Sequence, residues 1–151
     1  MSQQAVAEKI QGRIDQLVGA WCVAVRQDPR IESDDALTMP ELVDHVPAIL
    51  EEICALIRKD ETPNLRNVNE ARVNVYTRFH QGYKGRDVIR ELSLLRITLL
   101  DQLMEISLAE PGGLNVKDWH GAATILNLYL DEEMRYAISV FGASSIVNPG
   151  M

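Results

Sequence analysis

An all-α fold of about five helices, in a helical bundle or globin-like packing, is what this sequence predicts, and three observations predict it. Apolar residues recur at steps of three and four along most of the chain. The breaks between these runs are short and carry Pro, Gly and polar residues. One segment, Val73 to Phe79, alternates as a strand would, but no second strand lies nearby to pair with it, and Val68, Ala71, Val75 and Phe79 also fit a helix. At 151 residues, 46% hydrophobic and 25% charged, the chain suits one globular domain with its own core. It shows no internal repeat and no low-complexity tract.

Taken in order, the first helix places Val6, Ile10, Ile14, Leu17, Trp21 and Val25 on one face, and Asp28-Pro29 ends it, since the residue before proline is pushed out of the α region. A second begins at Thr38-Met-Pro-Glu41, which has the form of a capping box with Pro40 in the first turn. Its stripe runs Leu42, Val46, Ile49, Leu50, Ile53, Leu56, Ile57, and Pro47 predicts a kink or break. The polar loop Lys59–Asn67 contains Pro63, and Asn67 with Glu70 is placed to cap a third helix. After Gly82-Tyr-Lys-Gly85 a fourth helix runs from about Arg86 to Leu108, with Val88, Leu92, Leu95, Leu99, Leu103 and Ile106 in one stripe. Glu110-Pro-Gly-Gly113 stops it. Asn115 with Asp118 is placed to cap a fifth, with Trp119, Ala122, Leu126, Tyr129, Leu130, Met134, Ile138 and Phe141 as its apolar positions. Gly142 is expected to close it, so residues 1–142 form the domain and 143–151 a frayed tail.

Composition narrows the function. Fifteen Lys+Arg against 22 Asp+Glu give a net charge of −7, which argues against a phosphate-neutralising nucleic-acid face and against a polybasic membrane surface. The longest apolar stretch, Leu17 to Val25, is short of the roughly 20 residues of a membrane span, and the first residues carry no secretory signal. Cys22 and Cys54 sit inside helical patterns without a CxxC, and read as buried thiols of a cytoplasmic protein.

Motifs for catalysis are scarce: GxGxxG, the P-loop, GxSxG and HExxH are all absent, and no enzymatic role is expected. The residues three before His45, His80 and His120 are Leu42, Thr77 and Lys117, which cannot build a di-iron Glu-x-x-His site. Any of these histidines on an apolar face could bind haem, the one cofactor alternative to none; surface or hydrogen-bonded roles are expected instead, and for His45 a helix-turn contact. The carboxylates Asp34-Asp35, Glu51-Glu52 and Asp131-Glu132-Glu133 are sequence neighbours; adjacent carboxylates on a helix do not face one another, and all three groups read as solvated. Arg78, Lys84, Arg86, Arg90 and Arg96, interleaved with Asp87 and Glu91, read as a mixed-charge surface. Arg96 lies beside the leucine stripe and so calls for a carboxylate, with Glu91 or Asp44 as candidates. Trp21, Trp119, Tyr83 and Tyr129 are expected in the core.

Trp21 to Ile53, WCVAVRQDPRIESDDALTMPELVDHVPAILEEI, resembles the start of the RsbRD-type N-terminal domain. Domains of this family head RsbT co-antagonist proteins, the stressosome regulators, and some bacterial sensor histidine kinases. The shared pattern is Trp21, Asp28-Pro29, Leu37-Thr38, Leu42, Asp44, His45, Pro47 and Ile49-Leu50. A second block supplies Arg78, Gly82-Tyr83, Glu91 and Leu94-Leu95-Arg96, carrying the resemblance to about Leu103. Asn74 stands where the family often has histidine.

The resemblance implies a helical, dimeric, non-catalytic cytoplasmic input module of stress or two-component regulation, coupled to a kinase or STAS-type output domain or a protein partner. A globin-like sensor of haem or another small ligand is the alternative. Trp21, His45, Arg78, Tyr83 and Arg96 are the expected ligand or partner contacts. The first and fifth helices carry apolar residues off their main stripes, so Ile10, Ile14, Val18, Cys22, Ile125 and Leu128 are the expected dimer seam.

Overall fold

In the computed structural model, which describes residues 2–109, 111 and 114–147 (the side chains of 143–147 aside), every regular element is helical. The order is α1 (Gln3–Gln11), α2 (Ile14–Gln27), a 3-10 turn (Ser33–Ala36), α3 (Met39–Val43), α4 (Val46–Lys59), α5 (Asn69–His80), α6 (Gly85–Ala109) and α7 (Val116–Val147). The all-α class holds, and the ambiguous Val73–Phe79 segment is helix.

Two of the five expected helices are each divided in two. The first breaks at Gly12-Arg13, where Arg13 takes φ −117° and ψ 13°. Val6 and Ile10 on α1, and Ile14, Leu17, Trp21 and Val25 on α2, are nonetheless all buried. A stripe that keeps its spacing across a two-residue bend leaves the bend invisible in periodicity. The bend lets α1 lie on α4 while α2 crosses to α6. The second breaks at Asp44-His45, so Pro47 falls in the first turn of α4, where it forfeits no hydrogen bond. The capping box forms as expected: Glu41 N–H donates to Thr38 Oγ1, and Thr38 N–H to Glu41 Oε1 at 2.9 Å.

Helix ends supply further corrections. Asn67 does not cap α5; its Oδ1 accepts from Asn64 N–H within the preceding loop. Glu52 of α4 instead accepts from Glu70 N–H at 3.0 Å, capping α5 from outside. Asn115 does cap α7, its Oδ1 accepting from Lys117 N–H at 2.8 Å. Gly142 does not close α7, which continues to Val147. A helix-ending glycine acts by turning left-handed, and among the described residues only Gly82 (φ 80°) and Asp60 (φ 55°) have positive φ. Of the expected tail, 143–147 are helical and 148–151 lie outside the described residues.

The core has α4 near its centre, packed on α1, α2, α5 and α7. The α6 stripe from Val88 to Ile106 is buried as the spacing predicts. Trp119 is not a core residue; it stands 37% exposed on the first turn of α7, and Ile138 near the other end is 65% exposed. Both thiols are free and buried. No helix among the described residues is long and apolar enough to cross a membrane.

Candidate functional site

Three of the expected contact residues, Trp21, Arg78 and Tyr83, meet in one buried polar knot around Glu91. Its construction starts at the end of α5. Gly82, in the left-handed region, lets Tyr83 N–H reach back to Arg78 C=O at 3.1 Å and Gly82 N–H to Phe79 C=O. That turn folds Tyr83 beneath Arg78, whose guanidinium carbon sits 4.9 Å from the ring centre.

Arg78 is 1% exposed. Its Nε donates to Glu91 Oε1 at 3.1 Å, and Tyr83 O–H donates to Glu91 Oε2 at 2.6 Å. The other end of the guanidinium donates to Leu42 C=O at 2.6 Å, to Gln81 Oε1 at 2.9 Å and to Glu41 C=O at 3.4 Å. The shortness of α3 explains the carbonyl contacts: a five-residue helix leaves its final carbonyls without amide donors, and a cation satisfies them. Trp21 closes the knot from α2, its Nε1–H donating to Glu91 C=O at 3.0 Å. One guanidinium therefore joins α3, α5 and α6, and an indole adds α2. Burial pushes the Glu91 carboxyl up, opposed by Arg78 and the Tyr83 hydroxyl. The Tyr83 phenol is likewise raised, first by burial and then by Glu91. The knot is a set of mutually satisfied groups; its chemistry is cohesion between helices.

The remaining expected contacts lie elsewhere. His45 occupies the α3–α4 turn, half-buried, with Nε2 3.0 Å from Thr77 Oγ1. That is a helix-turn contact, one residue along α5 from Arg78. Arg96 pairs with neither Glu91 nor Asp44; its Nη2 donates to Asp131 Oδ1 at 2.6 Å, holding α6 to α7. Glu91 is already taken by Arg78. His80 and His120 are exposed. Of the expected dimer seam, Ile10, Ile14, Cys22 and Ile125 are buried within the single chain; Val18 is half-buried and Leu128 exposed. Those four face the chain's own core, three of them on α1 and α2 and Ile125 on α7.

Several charged residues expected at the surface are buried, and Glu52 is half-buried. Asp34 accepts from Arg26 Nη1 at 3.1 Å, and that guanidinium also donates to Leu37 C=O. Asp87 at the start of α6 accepts from the N–H and O–H of Ser33, tying the 3-10 turn to α6. Glu133 on α7 is 0% exposed and accepts from Asn74 Nδ2 at 3.0 Å. Glu52 accepts from Tyr129 O–H at 2.6 Å. The signal for Asn74, Glu91 and Glu133 was present: each falls at a three- or four-residue step from buried apolar neighbours on its helix.

Among the grooves on the surface of the described residues, two border the helices that carry the expected contacts and seam. One of about 1260 Å³ lies between the end of α5, the start of α6 and the last described turns of α7, lined by Phe79, Tyr83, Lys84, Arg86 and Phe141. Tyr83 thus backs onto solvent-accessible space on one side and bonds Glu91 on the other. The second, about 620 Å³, follows α2 and α3 and is lined by Val18, Cys22, Val23, Met39 and Val43, with Asp15 and Arg26 toward its two ends. Among the described residues no group of three or more His, Cys, Asp or Glu is arranged to hold a metal ion. No family model, curated protein or solved structure matches the chain.

Proposed function

We propose that this chain is a non-catalytic bacterial signalling input domain, of stress or two-component regulation, that acts as a cytoplasmic homodimer and relays its signal through helix packing to a kinase, a STAS-type domain or a protein partner. One observation supports this reading above others: residues that are far apart in sequence and carry the RsbRD-type resemblance, Trp21, Leu42, Arg78, Tyr83 and Glu91, converge on the one buried knot. The pattern is then a set of contacts between helices, as expected of a module whose conformation is its output. A relay needs two packings with different affinity for a ligand or partner. Tyr83 is placed to couple them, since it lines the larger groove and also bonds Glu91.

The seam of the proposed dimer is revised to the α2–α3 groove, where Val18 and Val23 lie with Met39. A second copy laid antiparallel on α2 about a twofold axis sets the Val18, Val23 and Met39 face of one chain against the same face of the other, an isologous contact. Sedimentation equilibrium up to high micromolar concentration tests the reading. A mass near twice 16.9 kDa is expected, and a strict monomer overturns the dimer.

A further inference from the structure

We infer that Glu133 and Asn74 form a proton-binding site in the core, in which Glu133 is held as the neutral acid, accepting from Asn74 Nδ2 at one oxygen and donating from the other to Asn74 Oδ1. Glu133 is fully buried, and Asn74 Nδ2, at 3.0 Å from Oε2, is its hydrogen-bond donor. Glu133 Oε1 and Asn74 Oδ1 are both buried with no hydrogen-bond partner. As a carboxylate, Glu133 would leave these two oxygens as acceptors facing no donor, each at the cost of an unmet buried polar group. A single proton on Oε1 satisfies both, because the planar acid and amide groups then exchange two hydrogen bonds across one pair.

The surroundings favour the same state. The charged groups acting on Glu133 are Glu52 from α4, Arg78 from α5 and Glu91 from α6. Arg78 spends its hydrogen bonds on Glu91, Gln81 and the carbonyls of Glu41 and Leu42 and acts on Glu133 only through its charge, which favours the anion. Glu52 is held by Tyr129 O–H and Glu70 N–H. An anionic Glu133 would add a carboxylate to a site already holding two, without a cation of its own. Burial, its largest influence, pushes the Glu133 carboxyl from 4.5 up to about 8.

The pair spans α5 and α7, so its proton is part of the joint between these helices. The folded chain binds the proton more tightly than the unfolded chain does. Stability from this site is therefore greatest at low pH and declines as pH rises through the window from 4.5 to about 8. Above that the proton passes to solvent and the α5–α7 joint carries a buried charge.

The test uses the whole chain labelled with ¹³C at the glutamate side-chain carboxyls, followed by NMR from pH 4 to 10, with Glu133→Gln to assign the resonance. One carboxyl is expected to titrate near pH 8, and it disappears in the variant. Glutamine preserves both hydrogen bonds without titrating. Relative to it, the wild-type unfolding constant should rise by up to tenfold per pH unit in the window, on the order of a thousandfold in all. Every carboxyl titrating below pH 6, or a Glu133→Gln protein whose stability has the same pH slope as wild type, overturns the inference. Should the variant fail to fold, the wild-type titration decides alone.

Discussion

Replacing Arg78 by methionine keeps most of the buried side-chain volume and removes the guanidinium that joins α3, α5 and α6. Glu91 loses the donor at 3.1 Å and keeps only Tyr83 O–H on its other oxygen. The carbonyl of Leu42, bonded at 2.6 Å, loses its donor at the same time. Removing one partner of a buried ion pair costs about 3–5 kcal/mol, chiefly the penalty of the charge left behind. Against a total stability of roughly 5–15 kcal/mol this is a large share. At about 2–4 °C per kcal/mol for a chain of this size, the midpoint of thermal unfolding should fall by roughly 6–20 °C. Adding Glu91→Leu to Arg78→Met should recover part of the loss, because an apolar replacement of both partners removes the stranded carboxylate. Recovery stays incomplete while the α3 carbonyls lack a cap. Urea unfolding of the four proteins of this cycle at pH 7 gives the coupling, expected at about 2 kcal/mol or more. An Arg78→Met cost under about 1 kcal/mol, or zero coupling with Glu91→Leu, would refute the argument.

Three further expectations follow from particular contacts. Val23, at 55% exposed, contributes little to the core, so Val23→Glu should leave helicity and thermal midpoint nearly unchanged while converting the dimer to monomer in sedimentation; a variant that stays dimeric moves the seam off α2. Thr38→Ala removes the side-chain half of the α3 capping box and should cost about 1 kcal/mol in urea unfolding, with no loss showing that α3 is held by Arg78 alone. Cys54, its thiol pushed up to about 12 chiefly by burial, should resist a thiol reagent at pH 8 in the native chain and react at the rate of unfolding, whereas rapid native labelling contradicts its placement in the core.

Most of the fold was legible because it is written in spacing. The α6 stripe and the Thr38–Glu41 cap lie where the pattern of residues puts them. What escaped were events that leave spacing intact, such as the bend at Gly12-Arg13, or that depend on distant partners. Glu52 capping α5 from α4 is such a case, since no local pattern around Asn67 reveals a carboxylate arriving from another helix. The site was half legible. Trp21, Arg78 and Tyr83 were singled out and do meet, whereas Arg96 was given the wrong carboxylate because Arg78 had claimed Glu91. Adjacency groups Glu133 with Asp131 and Glu132 as solvated, whereas it is fully buried. Its position between the buried residues Leu130 and Ala137, at steps of three and four, was the better guide.

A relay through helix packing requires the knot to exist in two arrangements, and the Trp21 indole N–H reports on it directly, since it donates to Glu91 C=O at 3.0 Å. Relaxation-dispersion NMR of that single N–H in ¹⁵N-labelled protein should show millisecond exchange between a major and a minor state. Tyr83→Phe, which removes one hydrogen bond from Glu91, should shift their populations. A Trp21 indole in one state, with no exchange in either protein, would contradict a packing relay centred on this knot.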